Sequence, residues 1–168
     1  MNERSPSPYI LTFFICFLLW LLLTATFNRD DLLAGFLVSI LVAFLSAKNL
    51  TILNGLIIAP SSAIALVRYL GYFLWALLKA NMDLAQRVIA KEIPIDPAMI
   101  KIKTTMQSDL GKLILANSIT LTPGTLSVDV EKDAILVHWI DCPEGMDINQ
   151  ATQDIAEDFE YYLKGFLK

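Results

Sequence analysis

Residues 9–27 read YILTFFICFLLWLLLTATF, nineteen positions without a charge. A helix rises about 1.5 Å per residue, so this run covers most of a roughly 30 Å hydrocarbon core. Arg4 precedes it, as a basic residue precedes the core of a secretory signal. Such a core is about 7–15 residues long and ends at a small-residue cleavage site. Here the run is longer, continues into TATFNRDD and meets a second apolar segment at once. The reading is a retained anchor.

Working outward, Leu32 to Ala47 is sixteen uncharged residues closed by Lys48. Asn28, Arg29, Asp30 and Asp31 make a polar turn between the two runs, and the paired aspartates suit the positive end of a helix dipole. So short a connection predicts an antiparallel hairpin with spans at about 9–27 and 32–48.

The whole chain agrees with a membrane origin. Its 168 residues are 55% hydrophobic and 18% charged, with a mean hydropathy of +0.56, where soluble domains carry about 25% charged residues. Residues 1–93 hold 7 basic and 5 acidic side chains, and residues 94–168 hold 6 and 12, so a net of +2 is followed by a net of −6. This sign change predicts a membrane domain over 1–93 and a small soluble domain over 94–168. The acidic second half argues against nucleic acid as a partner, since phosphate binding needs a basic face.

A third region is ambiguous. A helix is expected over about 61–91, ending before Pro94. Arg68, Tyr72, Lys79, Asp83, Gln86 and Arg87 recur in it at three- and four-residue spacings as one polar stripe. It reads either as an amphipathic helix on the membrane surface or as a third span with Arg68 near mid-depth, which costs about 2.5–3.5 kcal/mol on insertion scales. With two spans, Arg4, Lys48, Arg68, Lys79 and Arg87 share one side and Arg29 sits opposite, so the charge bias favours the surface helix. Both topologies put the C-terminal domain in the cytoplasm.

In that domain Ile100 and Ile102 alternate with Lys101 and Lys103 as a strand. Ser108 is an N-cap for a helix carrying Leu110, Leu113 and Ile114, and Asn117-Ser118 reads as its end. Pro123-Gly124 marks a turn, with proline presetting one φ and glycine accepting a positive one. Leu126, Val128 and Val130 alternate with polar residues in a second strand. Ile135 to Ile140 is apolar on both faces apart from His138, which predicts a central third strand. Ile155, Phe159, Tyr162, Leu163 and Phe166 line one face of a last helix. The order is β-α-β-β-α, an α+β domain.

Chemistry is sparse. Neither uncharged run, 9–27 or 32–47, contains Asp, Glu, Lys, Arg or His, as an ion-translocating subunit would need. Arg68, Lys79, Asp83 and Arg87 near the membrane read as subunit-interface or headgroup contacts. A lone histidine excludes a two-histidine metal site, and Cys16 and Cys142 read as free thiols, so no metal or cofactor is expected. His138 with Ser118 and Asp109 or Asp141 lacks any nucleophile-elbow signature, and an enzyme is not expected. Three threonines, Thr120, Thr122 and Thr125, surround Pro123-Gly124, where their hydroxyls can satisfy exposed backbone groups.

The stretch LANSITLTPGTLSVDV at 115–130 closely resembles the signature of the E-type subunit of the Mrp/Mnh-type multisubunit Na⁺/H⁺ antiporters. FLLWLLLT at 17–24, FLWALLKANMDLAQRV at 73–88 and VHWID at 137–141 are similar to that family too. The resemblance implies a non-catalytic component of a cell-membrane assembly, partnered by other subunits of a cation:proton antiporter and by the bilayer. Asn117, Thr120, Thr122, Pro123, Gly124 and Thr125 then form the family-motif turn. Similar chains occur in related membrane-bound hydrogenase and sulfur-reducing complexes, so that setting stays open, as does a stand-alone membrane-tethered adaptor.

Overall fold

A computed structural model describes residues 8–46, 55–90 and 95–168. Arg4, Lys48, the segment 49–54 and Pro94 lie outside the described residues. The chain divides into two compact units, residues 1–56 and 57–168.

The first unit holds α1 (Pro8–Thr24) and α2 (Arg29–Ser46). They run antiparallel, Phe13 and Phe17 meeting Phe36 edge-on. The turn between them is fixed by Trp20 Nε1 donating to Asp31 O at 3.0 Å and by Thr26 Oγ1 donating to the Asp31 carboxylate at 2.7 Å. On α2 the buried residues are Gly35, Ser39 and Ala43, four apart, so a seam of small side chains faces α1. Small side chains let two helix backbones approach closely. Gly35 lies directly against the Trp20 indole, where a Cβ would collide. The outward residues Phe14, Leu18, Leu22, Leu37, Leu41 and Phe44 are apolar and exposed.

The second unit opens with α3 (Pro60–Ile89), with proline at the helix start, where its missing N–H costs nothing. Among the described residues α3 is the one helix long and apolar enough to cross a membrane. A small α+β domain follows: β1 (Ala98–Lys103), α4 (Asp109–Leu121), β2 (Thr125–Val130), β3 (Ala134–Trp139), α5 (Ile148–Thr152) and α6 (Asp158–Leu163), the last two joined by a π-helical turn at Gln153–Glu157. The sheet is antiparallel in the order β1-β3-β2, so β3 is central, as its two apolar faces require.

Ile102, Ile135 and Val137 form the inner sheet face with no exposed surface. They pack on Leu115 and Ile119 of α4 and on Ala151, Ile155, Phe159 and Leu163 of the C-terminal helices, all buried. Ser108 caps α4 by accepting from Gly111 N at 3.1 Å. Asp147 begins α5 with a reciprocal capping box to Gln150.

One local reading changes. Helix α4 does not end at Asn117-Ser118 but continues to Leu121, because Ser118 Oγ donates back to Ile114 O at 2.7 Å and leaves the helical ladder intact. Cys142 is a free thiol and is buried, and its backbone N–H donates to Asp96 O at 2.9 Å.

Candidate functional site

The candidate residues gather along α3, which has three distinct sides. One side docks on the domain along most of its length. Ala65 abuts Gly165. Tyr69 stacks on Phe73 and meets Phe166 at a tilt, and its hydroxyl reaches Ser118 Oγ at 2.7 Å. Tyr72 stacks on Tyr162 at 4.8 Å between centroids and donates to the Asp158 carboxylate at 3.0 Å. Arg87 donates to Asp83 at 2.8 Å and also to Asp141, tying the end of the helix to the second residue beyond β3. Burial, then the hydrogen bond and charge of Asp158, push the Tyr72 hydroxyl above its ordinary pKa. The bonds to Asp83 and Asp141 hold the Arg87 guanidinium further in its charged form.

The opposite side is bare and apolar. Ile64, Val67, Leu74, Trp75, Leu78 and Met82 share one face at the helical period and are all more than half exposed. Arg68 and Lys79 occupy a flank between the two sides. Both are exposed, and neither has an ion-pair partner among the described residues.

The family-motif turn sits beside this flank. Thr122 Oγ1 donates to Ser118 O at 2.8 Å, and Thr125 Oγ1 to Ile119 O at 2.6 Å, so the threonines satisfy the last carbonyls of α4. Thr120 Oγ1 accepts from Ser127 N at 3.1 Å. Gly124 has φ +100 and its carbonyl accepts from Ile140 N at 2.9 Å. Asn117 is exposed on α4. A groove of about 380 Å³ is lined by Thr122, Pro123 and Thr125 on one wall and by Tyr72, Lys79 and Asp83 on the other. The structure therefore brings Lys79 and Asp83 to the motif, leaves Arg68 to a separate groove, and uses Arg87 as an internal tie.

The serine, histidine and aspartates weighed for catalysis do not converge. Ser118 bonds Tyr69 and Ile114 on the covered side of the sheet. His138 alternates with buried Val137 and so faces the open side, opposite Met99 and Leu126. Asp141 binds Arg87, and no cluster of three His, Cys, Asp or Glu suits a metal among the described residues.

Two contributors escaped the sequence reading. Tyr69 sits inside an aromatic run that gives no hint of a polar partner. Glu160, 6% exposed, accepts from Thr104 Oγ1 at 2.7 Å, from Thr105 N at 3.0 Å and from Thr105 Oγ1. It fixes the β1–α4 connection to α6, and the adjacent Thr104-Thr105 pair was its sole sequence signal.

An apolar helical region followed by a small antiparallel sheet with covering helices defines the class. The chain belongs to the Na⁺/H⁺ ion antiporter subunit family, whose model matches residues 13–165. It is 28% identical over 144 residues to the E-type subunit of the Na⁺/H⁺ antiporter of Alkalihalophilus pseudofirmus, covering 84% of this chain and 87% of the relative. It is 30% identical over 134 residues to the E1-type antiporter subunit of Staphylococcus saprophyticus, covering 79% and 81%. Among solved structures it resembles a chain of the membrane-bound sulfane sulfur reductase, an archaeal respiratory membrane complex. There the TM-score is 0.79 at 38% identity, over 94% of this chain and 98% of that one.

Proposed function

We propose that this chain is a non-catalytic accessory subunit of a multisubunit Na⁺/H⁺ antiporter in the cell membrane, supporting assembly and not carrying ions itself. The supporting observation is that α1, and α2 beyond its first turn, offer lipid or neighbouring subunits apolar and small residues without Asp, Glu, Lys, Arg or His. A cation path through the bilayer needs such groups.

In this reading α1 and α2 form a membrane hairpin and α3 lies on the cytoplasmic surface. Contacts of α3 with the domain run from Ala65 to Arg87, roughly 33 Å at the helical rise. That matches the hydrocarbon thickness of about 30 Å. A spanning α3 would carry the charged domain into the lipid with it. A surface helix instead points its bare apolar side at the acyl chains, its docked side at the domain, and Arg68 and Lys79 at the headgroups.

The 38% identity to a sulfane sulfur reductase chain favours a second reading, the equivalent subunit of a sulfur-reducing or hydrogenase-type membrane complex. Mild detergent extraction followed by identification of co-purifying chains separates the two. Cation-antiporter subunits without redox-centre chains are expected. Chains bearing redox centres would support the second reading, and a stable lone monomer would contradict both.

A further inference from the structure

We propose that the groove between the first half of α3 and the end of α6 binds the phosphate of an anionic lipid headgroup. The proposal rests on the surface placement of α3 given above. The groove, about 1180 Å³, is lined by Ser61, Ile64, Arg68, Trp75, Tyr161 and Lys164 among others. None of its eleven lining residues is acidic, although residues 94–168 carry twice as many acids as bases. A pair of cations with no carboxylate in the lining is the charge pattern an anion would select.

The two cations suit a phosphate in different ways. Arg68 is exposed, without an ion-pair partner among the described residues, and its planar fork matches phosphate oxygens two at a time. Lys164 Nζ is 3.5 Å from Glu160, a carboxylate already engaged by Thr104 and Thr105, and its side chain is 52% exposed. Its ammonium, paired at that length with Glu160, also borders the groove as a point charge.

Lipid is favoured over a soluble phosphate by what borders the groove. Ile64 and Trp75 belong both to its lining and to the bare apolar side of α3, so it opens where that side ends. Acyl chains leaving a headgroup held by Arg68 would run along Ile64 and Val67. Trp75 and Tyr161, 63% and 74% exposed, are the amphipathic aromatics that settle at headgroup depth.

The test uses the full chain in detergent micelles with trace spin-labelled phosphatidylglycerol or phosphatidylcholine, reading the immobilised fraction. Leu78→Cys carrying its own spin label, in a separate sample in lipid nanodiscs, reports whether α3 meets acyl chains or water. The expected result is a preference for phosphatidylglycerol that falls about fivefold in Arg68→Ala, and again in Arg68→Ala with Lys164→Ala. Lys132→Ala, which removes an exposed cation from the β2–β3 turn, should leave it unchanged. An equal preference in wild type and all variants, with the label at 78 in lipid, would overturn the groove and spare the surface helix. A label at 78 in water would overturn the surface helix and the lipid site with it. Displacement of the labelled lipid by soluble glycerol phosphate at equal concentration would overturn the lipid assignment in favour of free phosphate.

Discussion

The phenolic oxygen of Tyr69 lies 2.7 Å from Ser118 Oγ, joining α3 to α4 across 49 positions of sequence. Ser118 gives its own proton to Ile114 O, so the phenol is the donor. Removing that hydroxyl in Tyr69→Phe should cost about 0.5–1.5 kcal/mol, the net worth of one hydrogen bond. Tyr69→Ala also loses the ring contacts with Phe73 and Phe166 and should cost about 3–5 kcal/mol. Thermal unfolding of the full chain in detergent ranks the two, and equal midpoints for Tyr69→Phe and wild type would mean that the hydroxyl is not engaged.

How much of this was legible follows from what is local. The β-α-β-β-α order, the Ser108 cap, the Pro123-Gly124 turn and the central place of β3 come from periodicity and turn chemistry within a few residues. The Tyr69–Ser118 and Glu160–Thr104 pairs do not, because each depends on two segments meeting in space. The seam of Gly35, Ser39 and Ala43 was hidden for another reason. In a helix apolar all round, hydropathy does not distinguish the packed side, and only side-chain size does. The polar stripe of α3 was visible, but its division into a docked side (Tyr72, Asp83, Arg87) and a flank (Arg68, Lys79) needed the domain in place.

Gly124→Val should destabilise the domain by about 1–3 kcal/mol, since a β-branched residue strongly disfavours positive φ. The added side chain would also press on Ile140, whose Cγ2 is 3.3 Å from where a Cβ would stand. Loss of the subunit from its complex, with a lowered unfolding midpoint, is the expected readout. Unchanged assembly and midpoint would show that the turn is built differently.

Alkaline pH should loosen α3 from the domain. The folded-state pKa of Tyr72 is raised by burial and by Asp158, so folding favours the protonated phenol. Its contribution is complete below the unfolded value of about 10 and fades as pH climbs beyond it toward the folded value. Unfolding midpoints measured from about pH 8 to 12 should fall less steeply in Tyr72→Phe than in wild type. Parallel curves would exclude Tyr72 as a contributor.

Orientation is best read at the β2–β3 turn. Cys142 is buried and reports poorly, whereas Lys132 is exposed. With Cys142→Ala as background, Lys132→Cys should react with an impermeant thiol reagent in broken cells and not in intact ones. Efficient labelling of intact cells would put the domain outside.

The accessory role is tested most directly by cation/proton exchange in membrane vesicles, normalised to the amount of intact complex. Arg68 is the charge on the apolar part of α3 that a transport path would recruit first. Arg68→Lys should assemble and exchange as wild type, since either cation can snorkel to the headgroups. Arg68→Ala should lower exchange only in proportion to the complex lost, leaving the normalised rate unchanged. Full assembly of Arg68→Ala with the normalised exchange rate abolished would contradict the account and put Arg68 in the ion path.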